Sequence, residues 1–176
     1  QQPQRRFHAL FDKVARSDIL YRAWDEVRAN RGAPGADGVT IADVEASGVA
    51  AFLDDLAAAL KAGTYRPAPL RRVHIPKPGQ PGTTRPLGIP TVRDRVVMAA
   101  KLVLEPVFEA DFLPSSFGFR PRRSAHQACD AIRAEANHGR DWVLDADVRD
   151  CFGSIDHDAL MRQVARRVSD RRMLKL

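Results

Sequence analysis

The run Trp142-Val143-Leu144-Asp145-Ala146-Asp147-Val148-Arg149-Asp150-Cys151-Phe152-Gly153-Ser154-Ile155-Asp156-His157 decides how this chain reads. Residues 142–148 have the composition of a short strand. Successive strand side chains point to opposite faces, so Val143, Asp145 and Asp147 share one face and Trp142, Leu144, Ala146 and Val148 the other. The second face is apolar enough to be buried against helices. The first ends in two carboxylates, and an unpaired buried carboxylate is very costly. In an otherwise basic protein a divalent metal is a natural partner for such oxygens. Asp150 and Asp156 fit a turn and a helix cap, and the spacing predicts a helix from about His157 to Val168.

Upstream, apolar spacing predicts helices through Phe7, Leu10, Phe11 and Val14, and through Leu20, Trp24 and Val27. The second should end in the Gly/Pro-rich loop 31–38. Thr40 with Asp43 resembles a helix-starting cap, and a helix from about Gly48 to Ala62 follows, with Phe52, Leu53, Leu56 and Leu60 inward. Leu70 to Ile75 alternates as a strand, 76–84 is a loop, and Arg85 to Ile89 returns as the second strand of a hairpin. Thr91 and Asp94 cap a further helix, which Pro106 should end or kink. Residues 112–121 form an aromatic-rich loop. Ser124 and Gln127 make a capping box for a helix to about Asn137.

The chain has 176 residues, 44% hydrophobic and 28% charged, which is ordinary globular composition. Its net charge of +6 points to a polyanionic partner. The excess of arginine over lysine sharpens that reading, because guanidinium groups grip phosphate in a bidentate fork. Codon bias produces the same excess. Cys129 and Cys151 make no disulfide or zinc pattern. No signal peptide or membrane-spanning apolar run is visible, so a cytoplasmic protein without a membrane partner is expected. Both ends read as cut from something longer.

Four ordered blocks carry a family resemblance. Asp147-Val-Arg-Asp-Cys-Phe152-Gly-Ser-Ile-Asp-His157 resembles the first catalytic-aspartate motif of reverse transcriptases, in the form of group II intron-encoded proteins. Asn30-Arg-Gly-Ala-Pro-Gly-Ala-Asp-Gly38 resembles their N-terminal extension loop. Ile75-Pro-Lys77-Pro-Gly with Arg85-Pro-Leu-Gly-Ile-Pro-Thr-Val-Arg93-Asp-Arg95 resembles the fingers hairpin and the helix after it. Ser116-Phe-Gly-Phe119-Arg120-Pro-Arg-Arg-Ser124-Ala-His126 resembles the next fingers block. The resemblance implies an α+β fold, mostly helical, with a small antiparallel hairpin in the fingers and an incomplete palm. It implies an N-terminal helical extension and template loop over 1–45, fingers over 46–140, and the first palm strand and helix over 141–176.

Each candidate residue has two uses. Asp147, at a strand end, has the geometry for one carboxylate of a two-Mg²⁺ site, in which ions about 3.5–4 Å apart stabilise attacking and leaving oxygens. It also fits a plain turn cap. The resemblance adds the backbone carbonyl of Val148 as a further metal ligand, and it places Phe152 under the nucleotide sugar, where a rigid ring excludes a 2′-hydroxyl. The alternative use of Phe152 is a core position at the helix entrance. Lys77, Arg85 and, less directly, Arg93 bracket a hairpin that can close over a triphosphate. The alternative use of Arg93 and Arg95 is a surface pairing with Asp94 or Glu105. Phe119, Arg120 and Arg123 interleave rings with cations, a composition suited to stacking on bases and gripping a backbone. The same rings could plug a core. Arg31, Gly32 and Gly35 are implied to touch template RNA. Arg122 stands where the family usually has glycine, and Gly153 where it usually has an acid.

The family's second acidic motif, an aromatic followed by Ala-Asp-Asp, does not occur in this sequence. The expectation is therefore an RNA-directed DNA polymerase of group II intron type, inactive as this 176-residue piece. Expected partners are RNA template and intron RNA, a DNA primer and deoxynucleoside triphosphates, with oligomeric state open. The main alternative is a non-enzymatic RNA-binding maturase, a splicing cofactor module. A reverse transcriptase of a defence or diversity-generating system is a third reading.

Overall fold

The computed structural model describes residues 5–80, 82–99 and 101–176. It divides into two compact units, Ala9–Leu104 and the described part of Gln1–His8 with Glu105–Leu176. The division falls within the stretch expected to form the fingers.

The first unit holds α1 (Phe11–Val14), α2 (Ser17–Ala29), α3 (Ile41–Ser47), α4 (Val49–Ala62), β1 (Arg71–Pro76), β2 (Thr84–Ile89), α5 (Val92–Met98) and the start of α6 (Lys101–Glu109). Leu20, Ala23, Trp24 and Val27 of α2, Leu53, Leu56 and Leu60 of α4, and Val92, Val96 and Val97 of α5 form its buried core. The Trp24 and Phe52 rings meet at 6.0 Å, tilted by 59°. Local chemistry sets the boundaries. Thr40 accepts from the Asp43 amide while Asp43 accepts from the Thr40 amide, the reciprocal cap that the sequence spells out. Gly63 closes α4 at φ +70°, a left-handed angle that costs glycine little.

β1 and β2 pair antiparallel, with Arg71 opposite Ile89 and Ile75 opposite Arg85. The burial of β1 alternates, with Arg71, Val73 and Ile75 more covered than Arg72, His74 and Pro76. The helix expected through Pro106 is instead broken earlier. α5 ends at Met98, with Ala99 as its C-cap, and Pro106 lies inside α6.

The second unit holds the rest of α6, α7 (Ala125–Asn137), α8 (Cys151–Ser154), α9 (His157–Arg167) and α10 (Arg171–Lys175). Ser124 and Gln127 form the expected capping box of α7, and Asp156 caps α9 through the Ala159 amide. Phe7 does not join a helix. Its amide donates to the Arg167 carbonyl, and its own carbonyl accepts from Ser169, a parallel bridge beside Val168. Val107, Val168 and Met173 are the buried apolar residues here, and α7 buries none.

The expected strand 142–148 is not formed. Residues 141–148 carry no regular secondary structure, and Trp142, Leu144 and Phe152 are 99%, 92% and 90% exposed. A strand exists only by exchanging hydrogen bonds with a neighbour. Among the described residues β1 and β2 pair only with each other, so this segment has no ladder to join.

No helix among the described residues is long and apolar enough to cross a membrane.

Candidate functional site

The hairpin places its cations by register. Residues alternating with Ile75 share its face, and Arg85 lies directly opposite Ile75. Continuing the alternation past Pro76 puts Lys77 on that same side at the hairpin tip. There its amide donates to the Thr83 carbonyl at 3.0 Å. Lys77 and Arg85 are thus diagonal cross-strand neighbours, about 7–8 Å apart at Cα. Both are exposed, and neither meets a carboxylate among the described residues. Such a pair suits a polyphosphate better than a single anion. Arg93 is committed elsewhere: its guanidinium pairs with Asp55 of α4 at 2.6 Å.

Loop 31–38 follows α2 in the same unit. Arg31 is exposed and left-handed, with φ +46°. A Cβ on Gly32 would come within 2.2 Å of the Arg95 guanidinium, and one on Gly35 within 2.5 Å of the Thr91 backbone. Gly35 is buried. The glycines therefore serve close packing against the start of α5, and Arg31 is the loop's outward cation.

The aromatic-rich loop lies in the second unit. Arg120 is turned inward, its side chain only 6% exposed. Its Nε and Nη2 grip Glu109, with Nη2 to Oε1 at 2.7 Å, and Nη1 donates to the carbonyls of Leu113 and Ser116. The guanidinium also lies over the Phe112 ring. These contacts tie Arg120 to Glu109 at the end of α6 and to the carbonyls of its own loop. Arg120 holds the Glu109 carboxyl below its usual range, and Glu109 raises the guanidinium in return. Phe119 is the outward ring: fully exposed, on a left-handed backbone with φ +54°. Arg122 adopts φ +59°, the angle that explains a glycine preference at this position. Arg123 lies 5.5 Å over the Phe117 ring.

Asp147 and Asp145 are exposed, as is Phe152. Asp150 has φ +48° and precedes α8. Its carboxylate occupies the space where a Gly153 side chain would begin, 2.5 Å from the ideal Cβ. Glycine at 153 thus lets the turn close over the Asp150 side chain. Among the described residues no three His, Cys, Asp or Glu side chains converge to hold a metal ion. Asp147 and the Val148 carbonyl do not by themselves make a magnesium site.

One cluster escaped the sequence reading. Asp94, buried and expected as a helix cap or as a partner for Arg93 or Arg95, accepts from the Tyr65 hydroxyl at 2.6 Å and the Ala68 amide at 3.0 Å. Burial, together with Asp94, pushes the Tyr65 phenol well above its usual range. Arg95 donates to the Ala33 carbonyl at 2.7 Å, neither to Asp94 nor to Glu105. These partners lie 26 to 62 residues away in the chain, beyond the reach of local patterns.

Residues 75–175 match the family model described as reverse transcriptase (RNA-dependent DNA polymerase). The chain is 38% identical to Protein YkfC of Escherichia coli over 99% of its own length and 47% of that protein's. It is 36% identical to the group II intron-encoded protein LtrA of Lactococcus lactis, over 97% of this chain and 28% of LtrA. A shorter stretch, 49% of the chain, is 39% identical to nuclear intron maturase 1, mitochondrial, of Arabidopsis thaliana. The chain thus spans about half or less of the length of these relatives.

Proposed function

The chain belongs to the reverse transcriptase family, in its group II intron-encoded branch, and from that premise we propose that it supplies the fingers and the first catalytic carboxylate of an RNA-directed DNA polymerase. The observation that carries this reading is the hairpin, whose register makes Lys77 and Arg85 diagonal neighbours near its tip. There they neutralise a nucleoside triphosphate and hold it for in-line attack. Arg31, Phe119 and Arg123 are assigned to RNA, through phosphate contact and base stacking. Asp147 is assigned, with the Val148 carbonyl, to a magnesium site, and Phe152 as the ring beneath the sugar.

The test is nucleotide protection of the hairpin. Deoxynucleoside triphosphate should slow hydrogen exchange at residues 77–85, and replacing Lys77 and Arg85 with Ala should abolish that protection. Equal protection in the double variant would sink the assignment. In a protein that carries a complete polymerase site, Asp147→Asn should abolish DNA synthesis while leaving RNA affinity within about twofold.

A second reading, an RNA-binding maturase module, is favoured by one observation. The well-packed unit carries the hairpin with its exposed Lys77 and Arg85, while the segment bearing Asp147 stands open. The two readings separate on the same variant: loss of RNA affinity in Asp147→Asn would make that residue part of an RNA-binding surface.

A further inference from the structure

The N-cap and first turn of α5 carry four commitments. Thr91 caps the helix through the Asp94 amide. Arg93 reaches Asp55 on α4, Asp94 holds the chain entering β1 through Tyr65 and Ala68, and Arg95 holds loop 31–38 through the Ala33 carbonyl. The loop meets this turn twice, since Gly35 lies on the backbone of Pro90 and Thr91 while Gly32 makes room for the Arg95 guanidinium. Arg95 is a poor choice for stability alone. Its Nε is buried with no partner among the described residues, and an apolar side chain would fill the same space without that loss. What the guanidinium adds is direction, because a fork of donors fixes the carbonyl it grips.

We propose that Arg95 is a positioning residue: by clamping the Ala33 carbonyl to α5, it holds loop 31–38 in the conformation that presents Arg31 to RNA. Asp94 on the same turn holds the root of the hairpin, so one helical turn fixes both the RNA-contacting loop and the nucleotide-contacting hairpin. The inference rests on the reading of Arg31 as an RNA contact, and the tests below keep the two apart.

The variants are Arg95→Met, Arg95→Lys, Arg31→Ala and the pair Arg31→Ala with Arg95→Met, all in the 176-residue chain. The probe is a short single-stranded RNA of mixed sequence, titrated at several salt concentrations. Arg95→Met should bind about tenfold more weakly while keeping its thermal midpoint, and Arg95→Lys should recover most of the loss. The paired variant should bind no worse than Arg31→Ala alone, because Arg95 acts through the loop. Hydrogen exchange should quicken at residues 32–38 in Arg95→Met and nowhere else. Additive losses, a joint fall of stability and affinity, or unchanged exchange in the loop would each overturn the positioning role. Should Arg31→Ala bind normally while exchange in Arg95→Met still quickens, the clamp stands and the RNA assignment of the loop falls.

Discussion

Leu53, Leu56 and Leu60 of the first unit are at most 2% exposed, whereas Trp142 and Leu144 of the second are almost fully so. The residue types are alike, so hydrophobicity does not explain the difference. In the first unit, α2, α4 and α5 each turn an apolar stripe toward the others, and every stripe finds a partner. In the second, the apolar alternation of 142–148 finds no strand among the described residues to pair with. Apolar patterning gives a segment the capacity to be buried; a neighbour with matching hydrogen bonds turns that capacity into structure.

The largest expected effect tests this contrast directly. Leu56→Ala should destabilise the first unit by about 2–5 kcal/mol in denaturant unfolding, since it leaves a cavity in a closed core. Trp142→Ala, a larger truncation, should change stability by no more than about 0.5 kcal/mol in this chain. A comparable loss at Trp142 would mean that the second unit buries it in solution.

Next comes the buried carboxylate. Asp94→Ala should cost about 2–3 kcal/mol, because the Tyr65 hydroxyl and the Ala68 amide both lose their acceptor. The phenol's titration, followed by ultraviolet absorbance, should move down toward its ordinary value in the same variant.

The caps allow the two units to be compared with one chemistry. Thr40→Ala and Ser124→Ala each remove a reciprocal cap, for about 1 kcal/mol. The first loss should appear in the global unfolding of its unit. The second should appear as faster hydrogen exchange confined to α7, which has no buried residue to couple it to a core. Global destabilisation from Ser124→Ala would break the comparison.

The smallest effect is that of pH. Glu109 is depressed by Arg120, and Asp43 by its capping bonds to Thr40. A carboxyl lowered in the folded state binds fewer protons there than when unfolded. Its stabilisation is therefore complete above the ordinary carboxylate range and is lost as pH falls below it. Both units should lose stability as pH falls below about 4. Arg120→Gln should flatten this dependence in the second unit and leave that of the first untouched.

Much of the fold was legible in local sequence. The Thr40–Asp43 and Ser124–Gln127 boxes, the Asp156 cap and the alternation that made the hairpin all act within a few residues, and all are formed. The misreadings share another cause. Phe7 fits a helical stripe yet bridges Val168, and strand 142–148 lacks its neighbour. Each depends on a group that the local pattern does not contain.

What the sequence determined by itself is the kind of molecule: capped helices, one basic hairpin and four motif blocks in a fixed order. What only the tertiary structure decided is which charges are spent and which are free to act. Arg93, Arg95 and Arg120 are held by Asp55, Ala33 and Glu109, while Arg31, Lys77 and Arg85 face outward. The physical reason is that a guanidinium has the same donors wherever it stands in the chain, and only three-dimensional proximity supplies the acceptor that claims them.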